Sequence, residues 1–118
     1  MAVKGDPYRQ AVTLFRTLSH PVRLRILDEL RRGEACVCHL QAAVRRPQAY
    51  VSQQLRVLRE AGVIESRRSG LYIFYRIADP LVQWVLEETL GPTEERVPIA
   101  GCPCPQCAPD GAPMERNG

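Results

Sequence analysis

The stretch PQAYVSQQLRVLREAGVIESRRSGLYIFYRI, residues 47–77, contains the two patterns that decide the fold. Apolar residues recur at helical spacing in its first half, which predicts a helix over 47–61 that ends at Gly62. The apolar face of this helix consists of Val51, Leu55 and Leu58. The second half changes to short alternating runs, which are typical of β-strands.

The two runs predict a β-hairpin directly after the helix. Residues 63–67 and 71–77 form its strands, Ser69-Gly70 joins them, and Arg67 and Arg68 lie at the tip. A hairpin in this position indicates a wing beside a helical unit.

Helices are also predicted on both sides of this stretch. Apolar periodicity predicts them over 7–18, from Pro21 to Gly33, over 35–44 and over 80–90. The 35–44 and 47–61 helices, joined by a tight turn, are typical of a helix-turn-helix. The expected fold class is therefore mainly α with a β-hairpin wing, a winged helix-turn-helix in the order α-α-α-α-β-β-α.

Composition and charge divide the chain into two parts. Residues 91–118 hold six prolines, four glycines and three cysteines, which predicts a flexible tail after one domain at 1–90. Residues 1–78 carry 14 Lys and Arg against 6 Asp and Glu, whereas 79–118 carry 2 against 7. A basic body favours a polyanionic partner, nucleic acid first, and the alternative is a solvated basic surface.

Five cysteines form two clusters, Cys36-Val37-Cys38 and Cys102-Pro103-Cys104-Pro105-Gln106-Cys107. The sequence has no run approaching the ~18 apolar residues of a membrane span and no signal peptide, so we expect a cytoplasmic protein without membrane contact. Cytosolic thiols stay reduced, which favours soft-ion ligation or redox chemistry over structural disulfides. The alternatives are buried small side chains for the pair and no role for the triplet. No catalytic constellation is visible, so we do not expect an enzyme.

Four segments form a more specific combination: LSHPVRLRIL at 18–27, CVCHL at 36–40, VSQQLRVLREAGVI at 51–64 and RRSGLY at 67–72. Together they resemble the ArsR/SmtB family of metal- and metalloid-responsive winged-helix repressors, most closely its arsenic-responsive members. The resemblance implies that residues 1–90 bind double-stranded operator DNA and form a homodimer through the first and last helices. Both terminal helices have apolar faces, which supports a dimer unless those faces only close the monomer core.

The resemblance also implies which residues contact DNA. The 47–61 helix would enter the major groove, and the wing would contact phosphates or the minor groove. The candidate contacts are Arg46, Gln48, Tyr50, Ser52, Gln53, Arg67, Arg68 and Tyr72. Plain solvation is the alternative for single exposed residues such as Gln54 and Arg56.

In the arsenic-responsive members, the Cys-Val-Cys motif binds As(III) or Sb(III), often with a third cysteine where this chain has Gln41. We therefore expect a hybrid site in which the tail supplies a thiolate, in cis or across the dimer. Four thiolates would instead suit Cd(II), Pb(II) or Zn(II). The candidate ligands are Cys36, Cys38, Cys102, Cys104 and Cys107.

The spacing of Cys36 and Cys38 limits how they can share one ion. Side chains at i and i+2 point about 200° apart in a regular helix, so the helix must begin there or unwind. His39 is a further possible ligand, and its alternative is an ordinary polar helix residue. Two other functions stay open: a redox- or persulfide-sensing repressor, and a thiolate metal-buffering protein that does not bind DNA.

Overall fold

The computed structural model describes residues 6–95, which form five helices and a three-stranded antiparallel sheet. The helices are α1 (Pro7–Leu18), α2 (Pro21–Leu30), α3 (Val37–Val44), α4 (Gln48–Glu60) and α5 (Pro80–Leu90). The strands are β1 (Ala35–Cys36), β2 (Ile64–Ser69) and β3 (Tyr72–Ile77), in the order β1-β3-β2. The predicted winged helix-turn-helix is confirmed. None of the described helices has the length and apolar character needed to cross a membrane.

The third helix begins two residues later than predicted. Ala35 and Cys36 form the short strand β1 and pair with Tyr75 and Phe74 of the wing. Both residues are buried, and buried backbone groups need hydrogen-bond partners. The pairing with β3 supplies these partners in place of a further helical turn. The sheet of the wing therefore has three strands, and the additional strand, β1, leads directly into α3.

The turn between α3 and α4 depends on a left-handed residue. Arg45 has φ +58° and ψ +50°, and its N–H donates to the carbonyl oxygen of Gln41. Pro47, expected as the first helical residue, precedes α4 with extended backbone angles of φ −60° and ψ 152°. This tight connection places the beginning of α4 beside α3.

The hairpin turn also lies further along the chain than predicted. Ser69 pairs with Tyr72, so Gly70 and Leu71 form the two-residue turn, and Gly70 has φ +61°. Glycine suits the first central position of such turns because it adopts positive φ without a steric penalty. Arg67 and Arg68 were placed wrongly at the tip, because they lie along β2 opposite Phe74 and Ile73.

One hydrophobic core joins the helices and the base of the sheet, with Ile26, Leu27, Leu40, Leu55, Leu58, Val82 and Leu86 at its centre. The outer faces of α1 and α5 do not contribute to it. Tyr8 and Phe15 on α1 are 81% and 60% exposed, and Trp84 on α5 is 58% exposed. The alternative in which these faces only close the monomer core is therefore wrong for the exposed side chains, although Leu18 of α1 and Val82 and Leu86 of α5 do belong to the core.

Candidate cysteine site and nucleic-acid interface

Cys36 lies at the junction of β1 and α3 and caps the helix. Its Sγ accepts a hydrogen bond from the backbone N–H of His39 (3.4 Å), and its backbone is extended, with φ −83° and ψ 167°. The side chain is buried. The positive end of the helix dipole favours an anionic sulfur at this position.

Cys38 is in the first turn of α3 and is exposed. Because Cys36 is outside the helix, the 200° separation expected within a regular helix does not apply. Both cysteines line one cavity of about 360 Å³, together with Val37, Gln48, Ser52, Leu71, Tyr72, Ile73 and Tyr75. The cavity therefore joins the cysteine pair, the beginning of α4 and the wing.

His39 is a buried residue rather than a solvated one. Its Nε2 lies 2.6 Å from Oε1 of Glu29 in α2, and its side chain is 2% exposed. This interaction joins α3, the first helix of the helix-turn-helix, to α2. His39 does not line the cavity of the two cysteines.

Within residues 6–95, no three His, Cys, Asp or Glu side chains are grouped closely enough to hold a metal ion. The described part of the chain thus brings together two of the predicted thiols. The other three, Cys102, Cys104 and Cys107, lie outside the described residues.

Arg31 fixes the chain where it leaves α5. Its Nη1 donates to the carbonyl oxygen of Gly91 (2.7 Å) and to Oγ1 of Thr93 (3.2 Å), and its Nε donates to Asp28 (2.8 Å). The Arg31 side chain is only 3% exposed. Arg31 precedes Cys36 by five residues, so the Cα atoms of these two residues are at most about 18 Å apart. No local pattern in the sequence distinguishes Arg31 from the other arginines, so its role is visible only in the folded structure.

The beginning of α4 presents most of the predicted DNA contacts to solvent. Gln48, Ser52 and Gln53 are exposed, as is Arg46 in the preceding turn. Tyr50 is half-buried and packs against the core. The exposed polar side chains lie on the surface opposite the buried apolar face of α4.

Gln54 and Arg56 differ in burial, because their positions in the helical period place them on different faces of α4. Gln54 is buried, so the interpretation as a solvated residue is wrong for it, and its Oε1 accepts a hydrogen bond from Nε of Arg23 (2.8 Å). Arg56 is exposed and pairs with Glu60 one turn later. The role of Gln54 is not visible in the sequence, because a polar residue on an apolar face shows its partner only in the folded state.

Arg67 on the wing is held by a partner from outside the hairpin. Its Nε and Nη2 donate to the two carboxylate oxygens of Glu34, and both distances are 2.7 Å. The guanidinium carbon of Arg67 lies 5.1 Å from the centre of the Phe74 ring. These hydrogen bonds lower the pKa of Glu34, chiefly because they stabilise its charged form. The same pairing raises the pKa of Arg67.

The remaining wing candidates surround this pair. Arg68 is exposed on β2. Tyr72 is half-buried, lines the cysteine cavity and lies with its ring centre 6.4 Å from that of Phe74. The wing therefore presents Arg68 to solvent, while Arg67 and Tyr72 also contact its interior.

Comparison with known proteins supports a regulatory assignment. A sequence model described as "Bacterial regulatory protein, arsR family" matches residues 20–66. A transcriptional repressor SmtB homolog from Synechocystis is 37% identical over 90 residues, which cover 76% of this chain and 68% of that protein. The arsenic resistance transcriptional regulator ArsR1 of Pseudomonas putida is 38% identical over 92 residues, covering 72% of each protein.

Solved structures agree with the fold. The homodimeric winged helix-turn-helix DNA-binding domain of a possible ArsR-family regulator from Mycobacterium bovis superimposes with a TM-score of 0.66 at 30% identity. The match covers 76% of this chain and 87% of that chain. The protein therefore belongs to the arsR family of bacterial regulatory proteins, with the winged helix-turn-helix fold of transcriptional repressors.

Proposed function

We propose that the protein represses transcription as a homodimer on operator DNA and leaves the DNA when As(III) or Sb(III) binds to its thiolates. One observation carries the proposal: Cys36 and Cys38 share a cavity with Gln48 and Ser52 of α4 and with the wing. An ion bound by the two sulfurs would lie directly beside the surfaces proposed to contact DNA.

The DNA interface follows from the exposed polar beginning of α4 and from the wing. Gln48, Ser52 and Gln53 would contact base edges in the major groove, and Tyr50 would support them from its half-buried position. Arg46, Arg67, Arg68 and Tyr72 would contact the phosphate backbone or the minor groove. The affinity should fall steeply with salt, because each neutralised phosphate releases counterions.

The homodimer is supported by the exposed apolar faces of the terminal helices. Val12 and Phe15 on α1 and Leu81, Trp84 and Leu90 on α5 are each at least 46% exposed. Monomeric proteins seldom expose apolar patches of this kind, whereas subunit interfaces bury them. A second copy of the chain would cover these faces and present two α4 helices about 34 Å apart on the DNA.

The ion site has two ligands in the described chain and needs a third for the pyramidal coordination proposed for As(III). Thr93, held by Arg31, precedes Cys102 by nine residues, which span at most about 30 Å when extended. Arg31 and Cys36 are five residues apart, so their Cα atoms are at most about 18 Å apart. Chain length therefore permits Cys102, Cys104 or Cys107 to complete the site in the same subunit. Ligation across the dimer is the alternative.

Ligation would disturb the beginning of α3. Cys36 is buried and caps the helix, whereas Cys38 is exposed, so one ion must draw both sulfurs to a common point. This movement weakens the cap and shifts α3, which packs against α4. We propose that the displaced α4 no longer fits the major groove.

The test measures DNA binding by fluorescence anisotropy, with a duplex that the full-length protein has selected from a random pool. Arsenite, antimonite, cadmium, lead and zinc are added in turn. We expect arsenite and antimonite to raise the Kd at least about tenfold, as for typical allosteric coupling. Two variants, Cys36→Ser/Cys38→Ser and Cys102→Ser/Cys104→Ser/Cys107→Ser, should both lose the response.

The other outcomes separate the competing functions. Release by cadmium, lead or zinc alone would indicate a four-thiolate metal site, and release by an oxidant alone would indicate a redox sensor. Failure to select any DNA sequence would favour a metal-buffering protein. A full arsenite response in the triple serine variant would remove the tail from the site.

A further inference from the structure

A row of three residues crosses the sheet from the cysteine site to the wing. Cys36 of β1 pairs with Phe74 of β3, and Phe74 pairs with Arg67 of β2. Phe74 is fully buried, whereas Arg67 is half exposed. A thiol proposed to bind the inducer is thus two backbone pairings away from a residue proposed to contact DNA.

A side-chain ion pair, Glu34–Arg67, also connects the cysteine segment to β2. Glu34 lies two residues before Cys36, and its carboxylate holds Arg67 through two parallel hydrogen bonds of 2.7 Å. The guanidinium crosses the Phe74 ring to reach it. Bidentate pairs fix direction as well as distance, so a displacement of Glu34 moves the Arg67 guanidinium with it.

We propose that the Glu34–Arg67 pair transmits occupation of the cysteine site to the wing. This inference rests on the proposed function and extends it, because it adds a route through β1 to the route through α3 and α4. Ligation draws Cys36 out of its capping position, residues 34–36 move, and Glu34 carries Arg67 away from its DNA-binding position. Glu34 is thus a positioning residue that touches neither the ion nor the DNA.

The pair can change without unfolding the protein because it lies at the surface. The Arg67 side chain is 50% exposed and the Glu34 side chain is 21% exposed, so solvent screens their attraction. The β1–β3 pairing is also short, with two residue pairs. The side chains of Glu34 and Arg67 can therefore move while Phe74 stays buried.

The chain offers a matched control on the same wing. Glu65 of β2 pairs with Arg76 of β3 across the hairpin, and both side chains are exposed. Glu65→Gln removes the same charge and also breaks a carboxylate–arginine pair, but both partners of that pair belong to the β2–β3 hairpin. Glu34→Gln and Glu65→Gln therefore differ in the connection to the cysteine site.

The experiment measures the ratio of DNA Kd with and without arsenite for the full-length wild type and both variants. We expect the ratio to fall at least about threefold in Glu34→Gln and to stay at the wild-type value in Glu65→Gln, against a coupling of roughly 5–150-fold in typical allosteric proteins. Arsenite affinity, followed by sulfur–arsenic absorbance without DNA, should be the same in all three proteins.

Each other result counts against the proposal in a distinct way. Equal ratios in all three proteins, or equal losses in both variants, would overturn the role of Glu34 and leave the proposed function intact. Weaker arsenite binding by Glu34→Gln would make Glu34 part of the ion site instead. A wild type that keeps its DNA in arsenite would overturn both proposals.

A second measurement needs no DNA. The NMR signal of the Arg67 Nε–H should move when arsenite is added to the wild type. It should not move in Cys36→Ser/Cys38→Ser. An unmoved signal in an arsenite-loaded wild type would contradict transmission through this pair.

Discussion

The side-chain oxygen of Gln54 in α4 accepts a hydrogen bond of 2.8 Å from Nε of Arg23 in α2, and Gln54 is buried. The same guanidinium donates through Nη1 to the carbonyl oxygen of Thr17 at the end of α1 (3.2 Å). The helix proposed to enter the major groove is thus bonded, through one arginine, to the helix proposed to form the dimer.

Gln54→Ala should lower the free energy of unfolding by about 1–3 kcal/mol, because it leaves the partly buried Nε–H of Arg23 without its acceptor. Its neighbour Gln53 is exposed and provides the control. Gln53→Ala should stay within about 0.5 kcal/mol of the wild type and weaken DNA binding instead. Urea denaturation and anisotropy measure the two effects, and equal stability losses would contradict the assignment.

Arg45→Gly should raise the free energy of unfolding by about 0.5–1 kcal/mol. Arg45 occupies the left-handed region at the end of α3, which glycine adopts without a steric penalty. Arg46→Gly is the control, since Arg46 does not have positive φ, and it should give no gain. The measurement is thermal denaturation, and a gain in both variants would point to lost charge repulsion instead.

Cys36→Ser should fold as stably as the wild type, whereas Cys36→Ala should lose about 0.5–2 kcal/mol. The Cys36 sulfur caps α3 by accepting the N–H of His39, and serine is a better cap while alanine has no acceptor. Chemical denaturation in a reducing buffer distinguishes the two. Equal losses in both variants would show that the cap contributes nothing.

Trp84→Glu should dissociate the proposed dimer, with a rise in the dimer Kd of at least about thirtyfold, because buried tryptophans at interfaces contribute about 2 kcal/mol or more. Leu71→Glu is the control. Leu71 is 92% exposed but lies in the wing turn, away from α1 and α5. Sedimentation equilibrium measures both proteins, and a wild type that is monomeric would exclude this interface.

The Glu34 carboxyl should titrate below the ordinary range of a glutamate, because Arg67 stabilises its charged form. A group whose pKa is lowered in the folded state stabilises the fold above its ordinary pKa, and that contribution is lost as the pH falls through the lowered value. In Arg67→Gln the NMR titration midpoint should return towards the ordinary range. Arg76→Gln should move it less, since Arg76 acts on Glu34 only through its charge at a distance.

Local patterns were sufficient for most of the fold. The apolar period of α4 and the alternation in β3 extend over enough residues to predict both elements. Gly62 follows the end of α4, and Gly70 precedes the beginning of β3. β1 was missed because two buried residues carry no period, and only the tertiary contact with Phe74 makes them a strand.

The candidate site could be predicted only in part from the sequence. The cysteine pair is visible in the sequence, because thiols two residues apart are unusual, but their shared cavity depends on the helix beginning at Val37. Glu34 and Arg67 are 33 residues apart, and nothing local distinguishes this glutamate from any other. The roles of the three tail cysteines stay predictions.

The hydrogen bonds from Arg31 to Gly91 and Thr93 limit the volume that the following residues can occupy. Cys102 follows Thr93 by nine residues and therefore stays within about 30 Å of it in any conformation of the chain between them. Confinement to such a volume corresponds to an effective concentration on the order of millimolar or above. In the proposed site, Cys102 would meet an ion held by Cys36 and Cys38 as if it were present at that concentration. Small thiols dissolved at lower concentrations would then lose the competition for the last coordination position.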